Sequence, residues 1–302
     1  MFETPVPKCG FVAVIGAPNA GKSTLVNKLV GFKVSIVTHK VQTTRTRIRG
    51  VCMADSAQII FVDTPGIFSP KRRLDRAMIN AAWRGVGDAD VILLVYDVTH
   101  SQIDGDTQGI IKALKEASKS VILVLNKIDQ IDPARLLPVA SMFKHSSVIQ
   151  QTFMVSAEKG SGCDDLLNFL ATNMPDGTWL YPEDEVSDLP ERLLAAEVTR
   201  EQIFLRLHQE LPYMATVETE EWTEREDGAV VINQIIYLQR ESHKKIALGK
   251  GGGMIKAIGT ASRKELRKIF DRPIHLFLFL KVREKWMEDP DRYKVWGLDP
   301  NV

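Results

Sequence analysis

Eight consecutive residues, Gly16-Ala17-Pro18-Asn19-Ala20-Gly21-Lys22-Ser23, stand between an apolar run at 11–15 and a helix-patterned stretch at 24–30. Glycines at both ends let the chain curl so that successive backbone N–H groups converge on phosphate oxygens, and the positive end of the following helix adds to that field. Lys22 is spaced to reach the β- and γ-phosphates, and Ser23 to offer its hydroxyl to Mg²⁺. Gly16, Asn19, Ala20, Gly21, Lys22, Ser23 and Thr24 are therefore the candidate phosphate contacts.

Asn126-Lys127-Ile128-Asp129 follows the apolar run 121–125, at the carboxyl end of a strand, where open parallel sheets place their ligand contacts. The Asp129 carboxylate can accept from both N1–H and the exocyclic amine of guanine. Adenine has an acceptor at N1 and nothing at C2, and would leave the buried charge unpaired at a cost of several kcal/mol. Ser156-Ala157-Glu158 follows the apolar residues 153–155 and offers the Ala157 N–H to guanine O6. Asp63-Thr64-Pro65-Gly66 ends the run 59–62. Asp63 is expected to hold the metal through water, and the Gly66 N–H to meet the γ-phosphate, with glycine's conformational freedom letting the chain swing away once that phosphate leaves. Between Gly31 and Gly50 lies a basic, threonine-rich stretch containing Gln42-Thr43-Thr44-Arg45, whose Thr44 hydroxyl completes the metal shell in the triphosphate state. Ser23, Thr44 and Asp63 are the candidate metal ligands; Lys22, Thr44 and Gly66 are the candidate catalytic groups; Asn126, Lys127, Asp129, Ser156 and Ala157 read the base.

These five elements, in this order, resemble the translation-factor-related GTPases and, within them, the Era family. The resemblance implies GTP hydrolysis to GDP and phosphate with Mg²⁺. The residue after Gly66 is Ile67, so there is no glutamine of the Ras-like kind to orient the attacking water. Slow turnover is implied, because even Ras-like proteins manage only on the order of 10⁻⁴ s⁻¹ unaided. In relatives an asparagine at the Asn19 position helps hold K⁺, so K⁺ is a further expected cofactor.

With 302 residues, 44% of them hydrophobic and 25% charged, the chain is long enough for two domains with ordinary cores. Cys9, Cys52 and Cys163 are few, odd in number and without metal-type spacing, and read as free thiols of a reducing compartment. No apolar run approaches the ~20 residues that span a bilayer, and residues 1–9 lack the form of a secretion signal. A cytoplasmic protein is expected, with peripheral contact to the inner membrane left open, and a monomer.

The net charge of +1 hides a strong polarity: residues 183–227 carry fourteen acidic against four basic residues, and 240–285 thirteen basic against four acidic. Alternating strand and helix patterns, an α/β P-loop domain with a mostly parallel doubly wound sheet, occupy 1–175. A Pro/Gly/acid-rich linker is read at 176–189. Beyond it an amphipathic helix at 190–209, strand patterns at 213–223 and 229–239 joined by Asp227-Gly228, helices at 244–248 and 254–270 and a strand at 274–282 give the order αββααβ over 190–285, with a tail at 286–302. Gly249-Lys250-Gly251-Gly252 lies between the two shorter helices and satisfies the GxxG loop of a KH domain of type II, an α+β fold that binds single-stranded nucleic acid. Lys244, Lys245, Gly249, Lys250, Gly251, Gly252 and Lys256 are the candidate RNA contacts; Ile246, Leu248, Ile255 and Ile258 read as an apolar floor that supports stacked or edge-read bases, and mostly as core.

A GTPase domain ahead of a type II KH domain resembles the Era family over essentially the whole chain. That resemblance implies binding to the 3′ end of 16S rRNA and a role in maturation of the 30S ribosomal subunit. The rival reading is a membrane-associated signalling GTPase whose basic domain meets anionic lipid or protein. His39 reads as a solvated loop residue. His243, His275, Trp286, Tyr293 and Trp296 either stack on RNA or pack on the domain, and Lys71-Arg72-Arg73 is either a phosphate-binding cluster or a solvated loop.

Overall fold

The computed structural model describes residues 6–70, 72–299 and 301, so Lys71 of the basic cluster and the first five residues lie outside the described chain. The elements of the amino-terminal half are β1 (Lys8–Ile15), α1 (Lys22–Val30), β2 (Ile48–Ala54), β3 (Ala57–Asp63), α2 (Arg73–Asp88), β4 (Val91–Asp97), α3 (Gly105–Glu116), β5 (Val121–Asn126), α4 (Leu136–Ser141), β6 (Ile149–Val155) and α5 (Cys163–Asn173). They build a six-stranded sheet in the order β2-β3-β1-β4-β5-β6, parallel except for β2, which turns back on β3 through Asp55 and Ser56. Every residue of β3 and β5 is buried, which is why these strands read as unbroken apolar runs: a parallel sheet covered on both faces has no solvent side to pattern. On one side Leu94, Tyr96, Leu123 and Leu125 meet Ala82 and Val86 of α2, Ile110 and Leu114 of α3, and Phe143 beyond α4. α3 starts where Asp104 accepts the Thr107 N–H at 2.8 Å, an N-cap.

The carboxyl-terminal half runs α6 (Glu191–Arg206), β7 (Ala215–Glu224), β8 (Val230–Leu238), α7 (Glu241–Leu248), α8 (Gly253–Phe270) and β9 (Ile274–Val282), followed by α9 (Pro290–Val295). β8 is central, antiparallel to β7 and parallel to β9, the αββααβ order of a type II KH fold. α6 and α8 cover one sheet face through Leu194, Val198, Ile203, Ile258 and Leu266. Inside that layer Thr199 donates to Gln234 at 2.6 Å, both side chains fully buried, and Gln234 passes its own donor to Thr219.

Two compact units divide the chain, each drawn from separate stretches of the sequence. The first holds the described residues of Met1–Ser35, Thr44–Asp188 and Tyr293–Val302; the second holds Ile36–Thr43 and Leu189–Arg292. The stretch read from sequence as a linker is held along the first unit. Gln58 accepts the N–H groups of Leu180 and Tyr181, the Val51 N–H donates to the Val186 carbonyl, and Arg49 pairs with Asp188 at 2.9 Å. This strip occupies hydrogen-bonding groups of β2, the edge strand, that would otherwise be open for pairing. The loop 36–43 counts with the second unit because α6 satisfies it. Glu201 accepts the Val37 N–H at 2.8 Å, Arg200 donates to the Thr43 carbonyl, and Lys40 donates to the Phe204 and Leu207 carbonyls, the acceptors that the end of a helix leaves open.

Replacing Thr199 by Val is expected to leave the Gln234 carbonyl buried without its donor and to destabilise the second unit by about 1–3 kcal/mol, read as a drop in thermal unfolding temperature with little change in nucleotide affinity.

Candidate functional site

The glycine loop between β1 and α1 owes its path to two missing side chains. A Cβ on Gly16 would come within 2.4 Å of the Val95 carbonyl oxygen, and one on Gly21 within 2.2 Å of the Asn126 amide nitrogen; both residues also hold positive φ. Asn19 sits at the exposed tip with φ of 62°. Lys22 is buried beneath the loop, donating to the carbonyls of Gly16 at 3.1 Å and Ala17 at 2.8 Å. Desolvation pulls its pKa down to about 8, with Asp63 acting in the opposite direction. Ser23 and Thr24 follow in the first turn of α1.

Ser23 Oγ donates to Asp63 Oδ2 at 2.7 Å and lies 3.0 Å from Thr44 Oγ1, so the three predicted metal ligands meet at one point. Asp63 is fully buried, and burial raises its pKa against the lowering effects of Ser23 and Lys22. Its second oxygen, Oδ1, is buried without a hydrogen-bond partner. Three hard oxygen donors, one of them an orphaned carboxylate oxygen, suit Mg²⁺, and Ser23, Thr44 and Asp63 would hold it. Gly66 runs against the loop, its missing Cβ 3.1 Å from Pro18, and Ile67 is buried in the sheet core with its N–H donating to the Gly16 carbonyl at 3.2 Å.

At the base-reading end Asn126 is the hub. Its amide donates to the Ala20 carbonyl at 2.9 Å and its oxygen accepts the Ala157 N–H at 3.0 Å. The Ala157 N–H is the group expected at guanine O6. Here it is engaged with Asn126, so an O6 contact shares its proton. Asp129 is oriented by Ser156 Oγ at 2.6 Å, and Lys127, in the left-handed region at φ 68°, reaches Asp97 at 2.5 Å. Burial alone would raise the Asp97 pKa, but the Lys127 and Thr99 hydrogen bonds outweigh it and hold the group below the usual carboxylate range. Asp97 carries no motif of its own, and only the Lys127 contact exposes its part in fixing the turn.

In the second unit Gly249, Lys250, Gly251 and Gly252 form a tight turn that opens α8. Gly249 must lack a Cβ, which would lie 2.7 Å from Met254 Cβ, whereas Gly251 and Gly252 face open space at φ 58° and 76°. Lys245, Lys250 and Lys256 are exposed and Lys244 half-buried. Of the four apolar residues beside the loop, Ile246 is 57% and Leu248 44% exposed, outside the core, while Ile258 is fully buried. α7 is too short to bury more than one side, and Ala247 takes it. The exposed pair flanks the loop as an apolar rim. Trp286 and Tyr293 are buried, with the Trp286 indole N–H donating to the Met214 carbonyl at 3.2 Å, so these tail aromatics pack rather than stack on RNA.

Residues 11–127 match the family described as 50S ribosome-binding GTPase and residues 210–287 match the KH domain family, so the chain is a P-loop GTPase carrying a KH domain. GTPase Era of Rhizobium meliloti (strain 1021) is 59% identical over 97% of this chain and 93% of its own, and GTPase Era of Brucella suis is 56% identical over 98% and 95%. An Aquifex aeolicus Era variant bound to GDP and AlF4⁻ aligns with a TM-score of 0.90 and 39% identity over 96% of this chain and 99% of that one. An Era in complex with MgGDPNP and nucleotides 1506–1542 of 16S ribosomal RNA aligns equally well. The chain belongs to the Era family of GTPases, which bind GTP and GDP with Mg²⁺.

Changing Asp129 to Asn removes the acceptor for the guanine amine and supplies a donor suited to the C2 carbonyl of xanthine. Affinity for GTP is expected to fall by about 10²-fold or more and affinity for xanthosine triphosphate to rise above it, measured by calorimetric titration of both nucleotides.

Proposed function

We propose that this chain is a GTP-driven switch that grips the 3′ end of 16S rRNA and acts in maturation of the 30S subunit in the cytoplasm, as a monomer. The observation that carries the reading is the GxxG turn at the start of α8, built on an αββααβ unit in a chain that aligns end to end with an RNA- and MgGDPNP-bound Era. Helix N-terminal amides and Lys250 meet the RNA backbone; Lys244, Lys245 and Lys256 flank it; and the absence of side chains at Gly249, Gly251 and Gly252 lets the strand lie close.

In the first unit Lys22, Thr44 and Gly66 act on the γ-phosphate, the other loop residues cradle the phosphates, and Asn126, Lys127, Asp129, Ser156 and Ala157 select guanine. Hydrolysis passes the γ-phosphoryl group to water and leaves GDP. With Ile67 committed to the core, no side chain at that position orients the water, so turnover is slow and the protein behaves as a timer. Nucleotide state is passed on through 36–43, which is covalently joined to Thr44 and satisfied by α6: ordering at Thr44 by the γ-phosphate biases the hydrogen bonds at Val37, Lys40 and Thr43. Contact of the same basic face with an anionic inner-membrane surface is the rival reading. No described helix is long and apolar enough to cross a membrane.

Lys250→Glu combined with Gly251→Asp, an exchange that tolerates positive φ, is expected to weaken binding of a 16S 3′-end oligonucleotide at least tenfold and leave GTP affinity intact. Undiminished RNA binding with loss of binding to anionic vesicles would favour the membrane reading. Asn19 is proposed to help hold K⁺ beside the phosphates. Replacing K⁺ by Na⁺ is expected to slow single-turnover hydrolysis several-fold, and equal rates in the two salts remove that role.

A further inference from the structure

Thr44 brings its hydroxyl to Ser23 and Asp63 from a stretch without helix or strand, and β2 does not begin until Ile48. An irregular segment holds a side chain in one place only where something else over-determines it. Directly after Thr44 that something is the other end of the chain. Thr46 Oγ1 donates to the Trp296 carbonyl, 250 residues away, and the guanidinium of the buried Arg45 lies 5.8 Å from the centre of the Trp296 ring. The tail is seated independently of these contacts. Tyr293 and Leu298 are buried, the Leu298 N–H closes back on the Tyr293 carbonyl at 2.8 Å, and Asp299 pairs with Arg84 of α2 at 2.7 Å. Between the anchors Trp296 and Gly297 line a cavity of about 410 Å³ with Phe11, Arg47, Arg49 and Val62. The tail is therefore a strap across an open space rather than the lid of a packed core, and discrete contacts, not continuous packing, fix it to 45–46.

We propose that Trp296 is a positioning residue for GTP: the strap 293–299 holds Arg45 and Thr46 so that Thr44 stands ready at the metal, and it thereby favours the triphosphate over the diphosphate. Thr44 is the only one of the three metal-site oxygens that lies on a segment expected to move with the γ-phosphate; Ser23 is on α1 and Asp63 on β3. Loss of the strap therefore acts on GTP and spares GDP. A hydrogen bond and a cation–π contact together correspond to about tenfold in affinity.

The test is made on the full-length chain. Calorimetry gives the affinities for a nonhydrolysable GTP analogue and for GDP, both with Mg²⁺, and single-turnover assays give the hydrolysis rate at saturating nucleotide. Trp296→Ala, which removes the ring and keeps the main-chain carbonyl, is expected to weaken the analogue about fivefold, to change GDP less than twofold and to slow hydrolysis. Trp296→Phe, which restores an aromatic face under Arg45, recovers the analogue to within about twofold of the parent. Thr46→Val, nearly isosteric and unable to disturb the tail's own seat, weakens the analogue about three- to fivefold in the same selective way, so the inference stands or falls even if the tryptophan variant folds poorly. Equal weakening of both nucleotides, or an unchanged analogue affinity in Thr46→Val, overturns it.

Discussion

Two places where no side chain fits govern the nucleotide site. The loop that cradles phosphate lies directly on the end of β4 at Gly16 and directly on Asn126 at Gly21, at distances that leave no room for a methyl group. A side chain at either point would lift the loop off the sheet, and with it the carbonyls of Gly16 and Ala17 that hold Lys22. Because Asn126 also ties Ala20 to Ala157, the phosphate end and the base end are set by one amide. The loop expected to hold phosphate and the turn expected to read the base are thus joined by a single packing constraint.

The electrostatics of the site follow from burial. Lys22 and Asp63 are both taken out of water, and each is pushed toward its neutral form by desolvation while the other opposes the push. Phosphate at Lys22 and a divalent cation held by Ser23, Thr44 and Asp63 would offset that cost. The same core that buries these groups also claims Ile67. A position that carries the water-orienting side chain in Ras-like GTPases serves packing here.

Both flanks of Thr44 are held by residues from the far half of the sequence, α6 on the preceding side and the terminal strap on the following side. The residues on either side of Thr44 therefore make contacts with residues distant in the sequence. Such support gives a switch two properties at once: a defined active geometry, and contacts few enough to be released by a few kcal/mol. The acidic run 183–227 supplies Glu197 and Glu201 to this support and, through Asp188, a partner for Arg49.

Local chemistry was enough to order the elements and to place the two loops. Strand, glycine loop and helix at 11–30, the turns at Asp63 and Asn126, and a GxxG turn between helices all lie within short windows, where spacing carries the physics. Hydrophobicity does not show which of Ile246, Leu248 and Ile258 are core, because a two-turn helix buries only one side. The engaged Ala157 N–H and the part played by Asp97 depend on partners about 30 residues off. The strip at 180–188 along β2, the docking of 36–43 on α6 and the return of Trp296 to Thr46 span about 120 to 250 residues. Those pairings leave no period and no motif in the chain, because they are made by surfaces that exist only once each sheet has formed. The class of nucleotide was thus legible in the sequence, while the contacts that hold 36–46 were decided by tertiary packing alone.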